Sequence, residues 1–463
     1  MSEHEFDVAV IGGGSGGYAA ARVAAAAGLR TVVIEGGVEI GGLCILRGCM
    51  PTKALLHAAE VLHQARRASV WGLRPGKIDF DYAAVMTRKR AMIDEFAGYR
   101  RQQLTDGRFT FLRAKASFID SHTLALDNGQ KLVARSFVIS TGSMSADPPH
   151  PFLAEAGYIT SDEALALERP PKSLIVLGGG AVAVEFAQFF ARFDVKVSLV
   201  QRGPHVLRDF DPDAASVIEE VFRREDIDLY TVTKALGAGK TATGKYVEFE
   251  QDGAVVRVEA EEILFALGRR PNTDGLNLAA AGVKTDDGRI ITDAHMQTSA
   301  PHVYAAGDCA GPFEIVHIAI QQGEVAAHNL AHPATPRKMD YRLITSVVFT
   351  DPQVATVGLT EQEAKLRGVP VIAASYPFND HGKSLIMEAR DGFVKLLADP
   401  RTGEILGGAC VGPMGGELIH EIIAAMHKRM TVRELANMPH YHPTLAEIWT
   451  YPAEELADQV SAP

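Results

Sequence analysis

"FDVAVIGGGSGGYAAARVAAAAGLRTVVIE", residues 6–35, joins an apolar strand pattern to a glycine-rich turn, an alanine-rich helix and a second apolar strand that ends on an acid. Gly12, Gly14 and Gly17 fall on a G-x-G-x-x-G spacing between the first strand and the helix, and Glu35 closes the second strand. This is the pattern of a βαβ unit that binds a dinucleotide. The glycines make the turn and let the backbone approach a pyrophosphate held at the helix N-terminus, while the acid accepts hydrogen bonds from a ribose.

The pattern returns downstream as "SLIVLGGG", "AVAVEFAQFFARF" and "KVSLVQRG", with Gly178, Gly180 and Ala183 in the three motif positions. Glu35 lies 21 residues after Gly14, and the same offset from Gly180 lands on Gln201, so the ribose-binding acid is missing. Arg202 and Arg208 follow instead, cations that suit a 2′-phosphate, and the second unit reads as a site for NADP rather than NAD. "SFVISTGSMSADPP" places Thr141 and Gly142 at a strand end and reads as an exit from the first nucleotide domain; "TSAPHVYAAGDCAG" carries a strand to Gly307-Asp308 and reads as the return. From about Tyr341, short β-rich runs alternate with helices and no glycine fingerprint recurs. The expectation is an α/β chain with two Rossmann-like dinucleotide-binding domains and a C-terminal α+β domain, divided as 1–148, 149–272, 273–340 and 341–463.

The 463 residues are 47% hydrophobic and 22% charged, with a net charge of -11 and no basic cluster, which argues against a nucleic-acid partner or an anionic membrane surface. No apolar stretch is long enough to span a bilayer, and the acidic start "MSEHEFDVAV" runs straight into a strand, unlike a signal or transit peptide. Four cysteines are too few for a stapled secreted scaffold and agree with a reducing cytoplasm, where Cys309 and Cys410 read as buried small residues. Cys44 and Cys49, in "GGLCILRGCMPTKALL", are different. In a regular helix their Cα atoms would lie roughly 8.5 Å apart, too far for a disulfide, so the segment must bend if the sulfurs are to meet. Gly48 permits a bend, and Pro51 suits the first turn of a helix carrying Lys53, which puts Cys49 at a helix N-terminus, where a thiolate is favoured.

Together these residues resemble the flavin-dependent pyridine nucleotide-disulfide oxidoreductases, the family of glutathione reductase, dihydrolipoamide dehydrogenase and mercuric reductase. "GGGSGG" with Glu35, "GGLCILRGCMPTK", "STG", "GGGAVAVE", "HVYAAGD", "SVVFTDPQVATVGLT" and "YHPTLAE" stand in order over nearly the whole chain. The resemblance implies an FAD domain made from two separated stretches, an inserted nicotinamide domain, and a C-terminal domain that forms a homodimer. It implies Cys44 as the interchange thiol, Cys49 as the thiol beside the flavin, and Lys53 near the flavin N5, paired with Glu185. FAD would be held by Gly12, Gly14, Gly17, Glu35, Thr141, Gly142 and Asp308, with Lys53.

Near the C-terminus, "PHYHPTLAEIW" supplies an acid-base candidate, because expelling a thiolate needs a proton donor and histidine is the residue type suited to that near neutral pH, a role that His442 fits. Glu447 would orient it, although Thr444 to Glu447 also reads as a helix capping box. By resemblance His442 acts on the disulfide of the other subunit. His440 and His442 form an H-x-H pair without nearby acidic or cysteine ligands, so no metal site is expected. The implied activity passes electrons from NADPH through FAD and the Cys44-Cys49 disulfide to a small disulfide substrate. The alternatives are an NAD-linked dihydrolipoamide dehydrogenase, a mercuric reductase-like flavoprotein, and a non-catalytic flavoprotein whose cysteine loop is only a clip. Three departures bear on the substrate. Glu324 follows Gly323 in a helix where glutathione reductases carry an arginine, the tail lacks the cysteine pair of mercuric reductases, and Ala181 stands where relatives often have a bulkier residue over the flavin. Arg47, inside the cysteine loop, points to an anionic or bulky thiol substrate.

Overall fold

The computed structural model describes residues 5–460. The chain divides into two compact units. One takes in the chain through Ala54, Ala83–Asp147 and Gly268–Asp340; the other takes in Leu55–Tyr82, Pro148–Leu267 and the chain from Tyr341 onward.

In the first unit the strand Phe6–Ile11 lies between Thr31–Glu35 and Lys131–Ile139, parallel to both, with Val8 opposite Thr31 on one side and Ser136 on the other. Thr110–Arg113 extends this sheet beyond Thr31–Glu35, and Val303–Ala305 joins in parallel beside Phe137–Ile139. The chain thus returns to its first sheet immediately before Gly307-Asp308, which brings the ends of four sequence-distant strands to one edge. Val8 to Ile11 and Val32 to Ile34 are buried, as expected of parallel strands covered on both faces, and this is why they read as unbroken apolar runs.

The second unit holds a four-stranded parallel sheet in the order Asp228–Tyr230, Lys196–Val200, Ser173–Leu177, Glu262–Phe265. It also holds a five-stranded antiparallel sheet in the order Thr345–Val348, Gln353–Gly358, Ile405–Gly412, Phe393–Ala398, Ile372–Pro377. Trp449, Phe378, Ile419 and Ile422 form the centre of the core beneath the antiparallel sheet. The fold class is the expected one, α/β with an α+β C-terminal part.

Residues 55–82 group with the second unit. They do so because Arg66 donates to both carboxylate oxygens of Asp194, at 2.8 and 2.9 Å, and the Phe80 ring meets Phe193 edge-on at 4.9 Å. Two buried cations tie the second unit together. Arg192 pairs with Glu225 and Asp351, and Lys395 sits among Asp211, Asp213 and Glu361 with its side chain 5% exposed. Lys395→Met would leave the buried Asp211 without its cation. The expected result is a loss of about 3 kcal/mol, read as a lower urea midpoint; an unchanged midpoint would mean that the carboxylates recover water instead.

Among the described residues no helix is long and apolar enough to cross a membrane, and no three or more His, Cys, Asp or Glu side chains cluster so as to hold a metal.

Candidate active site

The cysteine segment folds as two helices, Gly42–Leu46 carrying Cys44 and Cys49–Arg66 beginning at Cys49. The break falls at Arg47, whose φ of -143° and ψ of 14° leave the helical region. Gly48 then passes so close to the preceding turn that a methyl there would stand 3.1 Å from the Leu43 carbonyl oxygen and 3.3 Å from the Cys44 Cα. This tight turn overcomes the helical separation: the two side chains meet in hydrogen-bond contact, both in the thiol form. That contact and then burial raise the Cys44 thiol above its ordinary value, and the Lys53 charge opposes the rise. Cys49 stands at the positive end of its helix, where a thiolate is favoured over one at Cys44.

Arg47 does not present an unopposed cation, because its guanidinium bonds the Glu39 carboxylate at 2.9 Å. Arg100, which sequence reasoning passed over, lies with its guanidinium 4.4 Å from the centre of the Tyr18 ring. Burial pushes its guanidinium down, against the pull of Tyr18 and Cys44. Cys309 and Cys410 are buried, and burial raises both thiols, which makes them inert.

At the first glycine turn, the helix Ser15–Ala26 begins at Gly14 with no side chain capping it, so its first N–H groups are left for an anion. Glu35 is fixed at both oxygens: Oε2 accepts from the Gly13 N–H at 2.8 Å and Oε1 from the Gly37 N–H at 2.7 Å. The cysteine segment lies against this turn, since a methyl on Gly42 would come within 2.7 Å of the Gly14 Cα. Across the sheet edge, Asn272 donates to the carbonyl oxygens of Thr141 and Gly142. Asp308 accepts from the Ser143 hydroxyl at 2.6 Å, and Ser143 in turn accepts from Arg269 at 2.8 Å. Ser143 and Arg269 carry no motif and are brought together only by the pairing of Ser143–Ser145 with Arg269–Pro271. An uncapped helix start, a pinned ribose-type acid and an oriented second carboxylate at the same edge fit a dinucleotide such as FAD.

The second turn repeats the first with one change. The helix Ala181–Arg192 begins, uncapped, at Gly180, with Ala183 buried in its first turn. Gln201 packs onto Gly179, where a methyl would meet its amide at 2.9 Å, as Glu35 packs onto Gly13. Its Oε1 accepts from the Arg202 N–H and its Nε2 donates to the His205 carbonyl, so a neutral amide occupies the acid's place. The Leu207 N–H donates to the Gly179 carbonyl at 2.6 Å and folds the loop back onto the turn, with Arg202 and Arg208 exposed on it. Glu185, 3% exposed, accepts from the Phe349 N–H at 2.9 Å.

In the C-terminal part His442 Nδ1 lies 2.9 Å from Glu447 Oε2, with the imidazole 78% exposed over a carboxylate that is 11% exposed. The capping box is only half made: the Glu447 N–H reaches the Thr444 hydroxyl at a long 3.4 Å, and the Glu447 carboxylate turns to the histidine. His440 bonds a different carboxylate, Glu421, at 2.6 Å, so the two members of the H-x-H pair share no ligand. Glu324 pairs with Arg22 at 2.5 Å.

Residues 6–323 match the pyridine nucleotide-disulphide oxidoreductase family, and residues 344–453 match its dimerisation domain. A dihydrolipoyl dehydrogenase of Thermus scotoductus is 38% identical over 458 residues, 98% of each chain. The solved structure of LpdA from Mycobacterium tuberculosis aligns with a TM-score of 0.87 at 28% identity, over 97% of this chain and 99% of that one. The HOCl-induced flavoprotein disulfide reductase RclA from Escherichia coli shares the fold, with a TM-score of 0.86 at 24% identity over 97% and 99% of the two chains. The chain therefore belongs to the pyridine nucleotide-disulphide oxidoreductase family, enzymes that join a flavin and a pyridine nucleotide to disulfide chemistry.

Proposed function

We propose that this chain is an NADPH-linked flavoprotein disulfide reductase, a cytoplasmic homodimer that passes electrons through Cys44 and Cys49 to a small disulfide. The observation that carries the NADPH assignment is Gln201 seated on Gly179, where the first unit seats Glu35 on Gly13. An acid there takes a ribose 2′-hydroxyl and repels a 2′-phosphate; a neutral amide flanked by Arg202 and Arg208 reverses that preference.

When bound, FAD and the nicotinamide supply hydride and two-electron transfer. The rest falls to the chain. Gly12, Gly14 and Gly17 would take the FAD pyrophosphate and Glu35 a ribose, with Thr141, Gly142 and Asp308 also holding the cofactor, and Gly178, Gly180 and Ala183 would take the pyrophosphate of the nucleotide. Lys53 and Glu185 support the flavin side of the cysteine pair. Once the pair is reduced, Cys44 gives up its proton and its sulfur attacks one sulfur of the substrate. The substrate S–S bond breaks, and the first thiol leaves with a proton from His442, supplied by the second copy of the chain and oriented by Glu447. Cys49 thiolate then attacks the Cys44 sulfur, which closes the Cys44-Cys49 disulfide and releases the second half of the substrate as a thiolate that takes a proton from solvent.

Initial rates with NADPH and NADH test the assignment. NADPH should be preferred, and the double variant Arg202→Ala with Arg208→Ala should cut kcat/KM for NADPH by roughly a hundredfold, two charge-assisted hydrogen bonds' worth, with little effect on NADH. A preference for NADH in the native enzyme would support a second reading, an NAD-linked dihydrolipoamide dehydrogenase, which the 38% identity to the Thermus scotoductus protein favours. Oxidation of dihydrolipoamide with NAD would then be the faster reaction.

A further inference from the structure

Glu447 has two oxygens, and only Oε2 faces His442. Its Oε1 lies 3.4 Å from Nε2 of His381, a wholly buried histidine. The other ring nitrogen of His381, Nδ1, is 2.8 Å from the Ser384 hydroxyl. His381 immediately precedes the short helix Gly382–Ile386, with the rings of Phe378 and Tyr451 edge-on at 6.4 Å.

The chemistry of the partners fixes the proton on this ring. Burial first of all pushes His381 down toward its neutral form, against the pull of Glu447, and a neutral imidazole carries one N–H. With that proton on Nδ1, the Nε2 lone pair would face the carboxylate's lone pairs across 3.4 Å. With it on Nε2, the N–H lies beside Oε1 without the alignment of a hydrogen bond, which leaves Nε2 buried and unsatisfied next to a carboxylate oxygen that can accept from it, and the Ser384 hydroxyl donates to Nδ1. The contact to Oε1 is longer than a good hydrogen bond, and it is the contact that tightening of the site would shorten.

We propose that His381 is a positioning residue for the acid-base pair: Ser384, His381, Glu447 and His442 form one chain in which the buried histidine holds Glu447 from behind. With its carboxylate held on both sides, Glu447 keeps His442 in the tautomer with the proton on Nδ1 and presents Nε2 to the reacting sulfur. This rests on His442 being the acid-base group. The other titratable side chains around His381 are Tyr451, Tyr376 stacked on it at 4.0 Å, and Asp380, which accepts from the Tyr376 hydroxyl. Tyr376 is pushed up to about 12 and stays neutral over the working range.

The test uses the holoenzyme, NADPH and a small disulfide between pH 6 and 9, with the variants His381→Phe, His381→Gln, Ser384→Ala and His442→Gln. His381→Phe keeps the volume and removes the donor; it should lower kcat about tenfold, displace the pH profile and leave KM for NADPH unchanged. His381→Gln, whose amide can donate from the Nε2 position, should recover to within about threefold of native. Ser384→Ala keeps the ring but frees its tautomer, and should shift the profile in the same direction; it carries the test if His381→Phe does not fold. Native kcat and profile in both His381→Phe and Ser384→Ala, or equal impairment of His381→Phe and His381→Gln, would overturn the proposal. If His442→Gln is slow while His381→Phe is native, positioning alone fails; if His442→Gln is itself native, the acid-base reading fails and takes this one with it.

Discussion

Cys44→Ser should lower NADPH-driven disulfide turnover by roughly a thousandfold or more, the scale expected when a covalent nucleophile is lost. The serine hydroxyl fills nearly the same space, so the loss would be chemical: a hydroxyl is far less acidic than a thiol and does not exchange with disulfides. Neither glycine turn is touched, so NADPH oxidation by ferricyanide or a quinone should continue at close to the native rate. A Cys44→Ser enzyme that still reduces disulfides at a tenth of the native rate would sink the proposed role. Cys49→Ser makes the complementary prediction. Cys44 can then form its mixed disulfide with substrate, but no second thiol is left to resolve it, and intact-protein mass spectrometry should find the substrate half attached. Without that adduct, the order of attack assigned to the two sulfurs would have to be reversed.

What was legible beforehand, and what was not, divides by the range over which residues act. The two βαβ units and the missing acid at Gln201 each lie within a few dozen residues, and local periodicity shows them; the return of the chain at Asp308 joins residues far apart in sequence and was read from the order of the motifs instead. The bend between the cysteines was also legible, because helix geometry forbids the alternative; the sequence located it at Gly48, and the structure adds that Arg47 is where the helix stops. Arg47 carries a contact that its place in the sequence does not show. Its position between the two cysteines suggests a substrate contact, and the folded loop adds Glu39 as an ion-pair partner eight residues away. The membership of residues 55–82 in the second unit depends on Asp194, 128 residues from Arg66. His381 and Ser143 belong to the same class: each acts on a recognisable residue, Glu447 or Asp308, yet neither carries a motif or a spacing of its own.

His442→Gln should slow disulfide turnover at neutral pH by about a hundredfold or more, within the range for losing a general acid-base. The Cys44 environment makes the effect this large. Its thiol is raised by the hydrogen bond with Cys49 and by burial, so near neutral pH it holds its proton more firmly than an ordinary cysteine. Attack requires the thiolate, so a base must take that proton, and the departing substrate sulfur must receive one. In the native enzyme the imidazole does both, and turnover should vary little with pH where the histidine can cycle between its forms. In His442→Gln only solvent can take the proton. The sign follows from the raised thiol: a group whose pKa lies above the working range gains thiolate as pH rises, so the variant should accelerate by up to about tenfold per pH unit between 7 and 9 while the native enzyme does not. The gap between them should therefore close in alkali. Glu447→Gln should fall on the same side with a smaller loss, because the amide still fixes the ring at Nδ1 but no longer favours its charged form. Parallel native and His442→Gln profiles across that range would show that the proton on Cys44 leaves by some other route, and His442 would lose its assigned role.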